Sequence, residues 1–312
     1  MMTSSSVLPL SYFFKRPKYW LGLLFFGLAW LVAKLPITAQ LKLADILGWL
    51  LLKLAKRRKN IAKTNLNLCF PDLTDEERES LLRKNFQQTA LAIIETAACW
   101  LSDLQSRHKN THIIGQEYLE QAQAEGNGVI VLFFHLTTME IAGCLLGHHF
   151  DFNAMYKPNK NKLIERMMCN GRLRHLRALL TQNDARSTIK ALKKNQTVWY
   201  STDQNYGTKK GVFAPFFGIQ ASTITATTKF AKISGAKVVP FTSKRIDDGK
   251  GFELAFHPAL ENFPGDSPED DAKRINLFLE NYLKDNPVDY MWLHQRFRTR
   301  PPGEPRIYPK RK

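Results

Sequence analysis

Residues 128–134, Gly128-Val-Ile-Val-Leu-Phe-Phe134, constrain this chain more than any other stretch. A strand that is apolar on both faces must be covered on both, which is the condition of a parallel sheet lying between helices. Further strand patterns stand at Phe152–Tyr156, Thr197–Ser201, 237–242 and 252–256. Helical patterns fill the gaps: from about Thr137, then 161–179, 185–194, 222–234 and 269–283. Such alternation predicts an α/β fold with a mainly parallel central sheet flanked by helices. Thr74-Asp75-Glu76-Glu77 has the form of a capping box and opens a helix predicted to run to about Leu101. No repeat or Gly/Ser linker follows residue 60, so residues 56–312 read as one folded domain.

Residues 1–55 read differently. The run YWLGLLFFGLAWLVA at 19–33 is uncharged, with Lys15, Arg16 and Lys18 before it and Lys34 behind it. It predicts an N-terminal membrane helix of minimal length, since spanning takes roughly 20 apolar residues. Tyr19, Trp20 and Trp30 suit headgroup depth. No small-residue cleavage site follows, so the segment is expected to stay attached, by spanning or by lying in one leaflet. Residues 41–54 keep their lysines on one face and predict an amphipathic helix on the membrane surface. That helix leads into Lys56-Arg57-Arg58-Lys59, a cluster suited to anionic headgroups. The larger excess of positive charge follows the first run, which puts the folded domain in the cytoplasm under the positive-inside rule. Across the chain 45 Lys+Arg oppose 28 Asp+Glu, a net charge of +17, which calls for an acidic partner: nucleic acid, anionic lipid or an acidic carrier protein. Nucleic acid fits poorly, because no binding module or aromatic stacking motif accompanies the charge. Cys69, Cys99, Cys144 and Cys169 lack CxxC spacing and read as reduced thiols, with no zinc site or disulfide framework.

The chemistry falls where the first strand ends, at His135-Leu-Thr-Thr-Met-Glu140. Ligands of α/β sheets collect beyond the carboxyl ends of the strands. Five residues along a helix is about 500°, so His135 and Glu140 meet only if His135 lies in the turn before the helix. Glu140 is then expected to accept the imidazole N–H while His135 removes a proton from a substrate. A structural histidine is the alternative reading. His148-His149 lacks partners at metal-ligand spacing, so no metal is expected, and no Gly-x-Ser-x-Gly elbow supports a serine nucleophile.

The His135–Glu140 box resembles the signature of glycerolipid acyltransferases, and its surroundings resemble the bacterial lipid A late acyltransferases, the lauroyl type in particular. The blocks that carry the likeness cover nearly the whole chain. They are Arg57-Arg58 through Asn65-Leu-Asn-Leu-Cys-Phe-Pro71, Tyr156-Lys-Pro-Asn159, Gly171-Arg-Leu-Arg174, Ile189-Lys-Ala-Leu-Lys-Lys194, Asp203-Gln-Asn-Tyr-Gly207 and the segment from Tyr290 to Pro301. The resemblance implies a bacterial inner-membrane enzyme facing the cytoplasm. It would move a fatty acyl group from acyl carrier protein to a hydroxyl on a 3-hydroxyacyl chain of Kdo2-lipid IVA, with inner-membrane phospholipid as surroundings and no cofactor beyond the acyl-carrier co-substrate. A lysophospholipid acyltransferase and a non-catalytic lipid-binding protein remain as alternatives. His135 and Glu140 are the implied catalytic pair, with backbone N–H groups near Thr137 and Thr138 as candidate oxyanion donors.

Both implied substrates are anionic, and residues 155–195 hold 11 Lys/Arg against Glu165 and Asp184. Arg172 and Arg174 are candidates for sugar-phosphate contacts, a solvated basic helix being the other reading. Tyr156, Asn159, Asp203 and Tyr206 complete the candidate substrate-binding set. Asp203 either positions the acceptor or caps a turn, and Asn205 stands where the family commonly has a second acidic residue. Residues 211–218 read as an apolar loop, either packed or lining an acyl channel. Arg296, Arg298 and Arg300 alternate along a segment read as extended, which would point them one way.

Overall fold

The computed structural model describes residues 8–309, so the outermost parts of the 1–55 and 56–312 divisions lie outside the described residues. Two helices lead. α1 spans Trp20–Ala33 and α2 spans Ile37–Leu54, with Pro36 as N-cap breaking the chain between them. α3 (Lys56–Cys69) and α4 (Asp75–Leu101) follow. The Thr74 hydroxyl accepts from the Glu77 N–H at 3.2 Å and Glu77 Oε2 accepts from the Thr74 N–H at 2.7 Å, closing the predicted capping box. The N-terminal hairpin docks on α4, where Ala44 packs with Ala90, Leu91 and Ile94.

The remaining elements build the sheet. In chain order they are β1 (Thr111–Ile114), α5 (Gln116–Ala124), β2 (Val129–Phe133), α6 (Met139–Leu146), β3 (Phe152–Tyr156), α7 (Lys162–Arg172), β4 (Ala178–Thr181), α8 (Ala185–Leu192) and β5 (Thr197–Ser201). A hairpin, β6 (Gly211–Phe216) and β7 (Ile219–Ile224), precedes α9 (Ala226–Ser234), β8 (Lys237–Ile246), β9 (Gly251–Phe256) and α10 (Pro268–Asp285). The sheet has seven strands in the order β1-β9-β8-β2-β5-β3-β4, parallel throughout except for the β8–β9 pair. The mainly parallel α/β reading therefore holds. β2, buried at every position, lies inside the sheet as its apolar sequence requires.

Crossover handedness places the helices. The β2-α6-β3 and β3-α7-β4 connections move the same way along the sheet and share a face, whereas β4-α8-β5 returns and lands on the other. α4 packs across α6 and α7, so the hairpin, α4 and the helix after His135 form one stack.

Four sequence readings are corrected here. The helix predicted over 161–179 stops at Arg172, and Ala178–Thr181 is an edge strand, because a short apolar run fits either element by periodicity. Ser222, Thr223 and Ile224 belong to β7, so the helix predicted from 222 starts at Ala226, and the supposed loop at 211–218 is the β6–β7 hairpin, packed on α10. No helix among the described residues is long and apolar enough to cross a membrane, so the spanning form of the N-terminal helix is not supported. The reason is length: 14 residues of α1 extend about 21 Å, against a hydrocarbon core of about 30 Å.

α7 approaches α4 so closely that a Cβ at Gly171 would lie 2.6 Å from Trp100 Cα. Gly171→Ala is expected to force the two helices apart and destabilise the protein by about 1–3 kcal/mol, the usual cost of overpacking, measured by denaturant unfolding.

Candidate active site

Phe133 and Ser201, the last residues of β2 and β5, are Cα partners in the parallel ladder. Two residues beyond each stand His135 and Asp203, which the register brings to one height at the carboxyl edge of the sheet. His135 Nδ1 lies 2.9 Å from Asp203 Oδ1, and the His135 backbone N–H donates to Asp203 Oδ2 at 3.1 Å. One carboxylate thus fixes both ring and main chain. Burial pushes the Asp203 carboxyl up, but the charge and hydrogen bonds of His135 outweigh it and hold the group below its ordinary value. With Nδ1 committed, Nε2 is the ring atom left for a substrate.

The expected hydrogen bond between His135 and Glu140 is replaced by this one. α6 begins at Met139, so Glu140 sits in its first turn and faces α4 and α7. There Arg172 grips it with a planar fork, Nε to Oε1 at 2.8 Å and NH2 to Oε2 at 2.6 Å, while Trp100 Nε1 donates to Oε1 at 2.7 Å. The guanidinium read as a phosphate contact is therefore committed to Glu140. Burial raises the Glu140 carboxyl, yet Arg172 and Trp100 more than offset it and leave it below its ordinary value. Arg172 moves the opposite way: burial lowers it, and the Glu140 charge carries it above its ordinary value.

His135 opens onto a cavity of about 810 Å³. Strand alternation gives it an apolar floor, with Phe152 and Ala154 on one face of β3 and Trp199 on β5, where Ala154 pairs with Trp199. Trp199 stacks on Phe152 with ring centroids 5.2 Å apart. α6 contributes Met139 and Gly143 to the walls and α7 contributes Met168. Lys157, Lys210 and Arg298, all exposed, bring positive charge to the same cavity.

The other sequence candidates divide. Tyr156 and Tyr206 line the cavity. Asp203, buried, stands behind His135. Arg174 and Asn159 do not line it: Arg174 NH2 donates to the Cys99 carbonyl at 2.8 Å, and Asn159 bonds to Glu165 and Asn161 at the start of α7. The Thr137 N–H, a candidate oxyanion donor, is committed to the Asp289 carbonyl at 2.6 Å. Residues 296–300 are not extended. Arg296 is buried against Ser222, Thr223 and Asn276, and Arg300 bonds to Gln220 and Glu304, leaving Arg298 at the cavity.

Trp100 and His294 carry no role in the sequence reading. His294 lines the cavity, and burial, then the charge of His135, push its imidazole down to about 4. Its Nε2 accepts from the Asn205 N–H at 3.3 Å, which puts the proton on Nδ1. No local motif marks Trp100, but His294 lies within the segment from Tyr290 to Pro301. Among the described residues no cluster of His, Cys, Asp and Glu is arranged to hold a metal ion.

The family model described as bacterial lipid A biosynthesis acyltransferase matches residues 10–299. The chain is 38% identical over 294 residues to the lipid A biosynthesis lauroyltransferase of Escherichia coli (strain K12), covering 94% of this chain and 96% of that one. It is 34% identical over 296 residues to the palmitoleoyltransferase of the same organism, covering 95% and 96%. Its likeness to the crystal structure of a 1-acyl-sn-glycerophosphate acyltransferase from Thermotoga maritima is loose, with a TM-score of 0.39 and 14% identity over 78% of this chain and 96% of that one. By the match across residues 10–299 and by the identity to these curated relatives, the chain belongs to the bacterial lipid A biosynthesis acyltransferase family.

Proposed function

We propose that this acyltransferase of lipid A biosynthesis moves a lauroyl group from acyl carrier protein to a hydroxyl on a 3-hydroxyacyl chain of Kdo2-lipid IVA, at the cytoplasmic face of the bacterial inner membrane. The observation that carries the mechanism is the Asp203–His135 pair at a cavity with an apolar floor and basic residues around it. A secondary hydroxyl is a poor nucleophile until a base takes its proton. In this scheme His135 Nε2 removes that proton as the oxygen attacks the thioester carbon, Asp203 stabilises the imidazolium, and the imidazolium returns the proton to the departing thiolate. The acyl tail lies over Trp199 and Phe152, while Lys157, Lys210 and Arg298 meet phosphate or carboxylate groups. The thioester supplies the activated acyl group, so no further cofactor enters. Glu140 does not touch the base; with Arg172 of α7 it forms one wall of the cavity.

The same reading seats the protein in one leaflet. Leu21, Leu24, Phe25 and Leu28 of α1 and Ile46 and Trp49 of α2 are exposed, an apolar surface that water disfavours and lipid accepts. Lys53 lies over the Trp49 ring at 3.8 Å, which supports a reading with this pair at headgroup depth.

His135→Ala is expected to lower acyl transfer by about 10² to 10⁴, the usual worth of a positioned general base. Asp203→Asn is expected to lose a comparable factor, with the double variant no worse than the weaker single, since the pair acts as a unit. Mass spectrometry of the lipid product reads both, and a covalent acyl adduct formed from donor alone would refute direct attack.

Glu140 has an ordinary value of 4.5 that folding depresses. Its stabilisation is therefore fully present above pH 4.5 and disappears as pH falls through the lower folded value. Glu140→Gln leaves Arg172 without its charge partner and is expected to cost up to about 3–5 kcal/mol at pH 7. Thermal melts across pH 3–7 check the sign: the gap to the wild type should narrow only below pH 4.5.

Salt screens charge but not apolar burial, so membranes washed at high ionic strength should retain the protein and detergent should release it. Replacing Leu21, Leu24 and Phe25 together by Ser is expected to move it to the salt-extractable fraction with its helix content intact. Release of the wild type by salt alone would refute leaflet insertion.

A further inference from the structure

Arg245, on β8, belongs to none of the sequence candidates, yet its guanidinium is engaged on every side. Nε and NH2 hold the two oxygens of Glu95 at 3.0 and 2.5 Å, and NH1 donates to Gln88 Oε1 at 2.5 Å. NH1 also donates to Thr137 Oγ1 at 2.9 Å, and NH2 donates to the Thr137 carbonyl at 3.2 Å. Thr137 is two residues past His135, in the turn that carries the proposed base.

The chain of contacts continues away from the site. Glu95, on α4, is buried, and a second guanidinium, Arg107, lies 3.6 Å from its Oε1. Arg107 NH2 donates to Gln40 Oε1 at 2.5 Å. Gln40 Nε2 donates to the carbonyls of Ala33 and Leu35 at 3.2 and 2.8 Å, the corner where α1 turns into α2. Arg107, Glu95 and Gln40 are each under 9% exposed. A bond that shifts in such surroundings cannot be replaced by water, so each link constrains the next.

We propose that Thr137 and Arg245 are positioning residues that set the His135 turn, and that Gln40, Arg107 and Glu95 tie that setting to the corner of the membrane-seated hairpin. The seating of α1 and α2 then governs turnover and leaves substrate affinity unchanged, because none of the five side chains lines the cavity. The proposal rests on the reading of His135 as general base. A small displacement of a reacting group costs up to about 100-fold in rate, which sets the scale of the effect.

The test uses the full-length protein in phospholipid vesicles, with lauroyl acyl carrier protein and Kdo2-lipid IVA as substrates. Thr137→Val keeps the branched shape and removes the acceptor; it is expected to lower kcat about 10- to 100-fold with KM within twofold. Thr137→Ser restores the acceptor and should recover most of kcat. Gln40→Glu keeps an oxygen for Arg107 but loses the donor to Ala33 and Leu35, and is expected to lower kcat by at least fivefold with KM unchanged. Gln40→Leu, which removes both links, should fall at least as far. Thermal melts accompany every variant, so that loss of folded protein is counted separately from loss of turnover per folded molecule. Wild-type kcat in Thr137→Val, or a Ser variant no better than Val, would overturn the role of Thr137. Wild-type kcat in both Gln40 variants would overturn the link to the hairpin. His135→Ala runs beside them: near-normal turnover there refutes the base reading itself, whereas an inactive His135→Ala beside an unimpaired Thr137→Val refutes the positioning claim alone.

Discussion

The β2–β5 ladder pairs Phe133 with Ser201, and so the place where each strand stops decides whether His135 and Asp203 can meet. Each strand residue advances about 3.3 Å, so a slip of one position would carry the imidazole past the carboxylate by more than a hydrogen bond's length. The same ladder is held from both sides, by β8 next to β2 and by β3 next to β5, and it lies in the most deeply buried part of the sheet. Geometry at the His135–Asp203 pair is thus inherited from core packing.

Two carboxylates beside the cavity, Asp203 buried and Glu140 part-buried, have different partners. Asp203 faces a titratable ring, and Glu140 faces a permanent cation in a bidentate grip. A carboxylate whose partner can exchange a proton can follow a change of charge on that ring; one held by a guanidinium cannot, and serves as a fixed strut between α6 and α7. Arg172 also lines the cavity, but its charge is paired with Glu140, whereas Lys157, Lys210 and Arg298 are exposed at the cavity.

Much of this was legible in the sequence, and the parts that were not share a cause. The apolar run before His135 announces an interior parallel strand, and Thr74 to Glu77 announces a helix start, because both signals are local. The His135 turn could be placed by helix periodicity, but its partner could not: spacing along one segment pointed to Glu140, whereas the partner arrives from 68 residues away through strand register. Trp100, Arg245 and Glu95 are invisible for the same reason, each meeting the site only through tertiary packing. The strand at Ala178–Thr181 was lost to the ambiguity of short apolar runs, and the alternating arginines from 296 to 300 misled because a buried, hydrogen-bonded Arg looks like a solvated one in sequence.

The His135 turn is closed by a segment made much later in the chain. The Leu136 backbone bridges to Tyr290, the Thr137 N–H donates to Asp289, the Met291 N–H donates to His135, and the side chains of Asn65 and Asn85 hold the carbonyls of Val288, Tyr290, Trp292 and His294. During synthesis, every strand of the sheet leaves the ribosome before those residues do. A nascent chain can therefore assemble its sheet while the His135 turn still lacks these main-chain partners, so that turn takes its final geometry after the scaffold that bears it already exists.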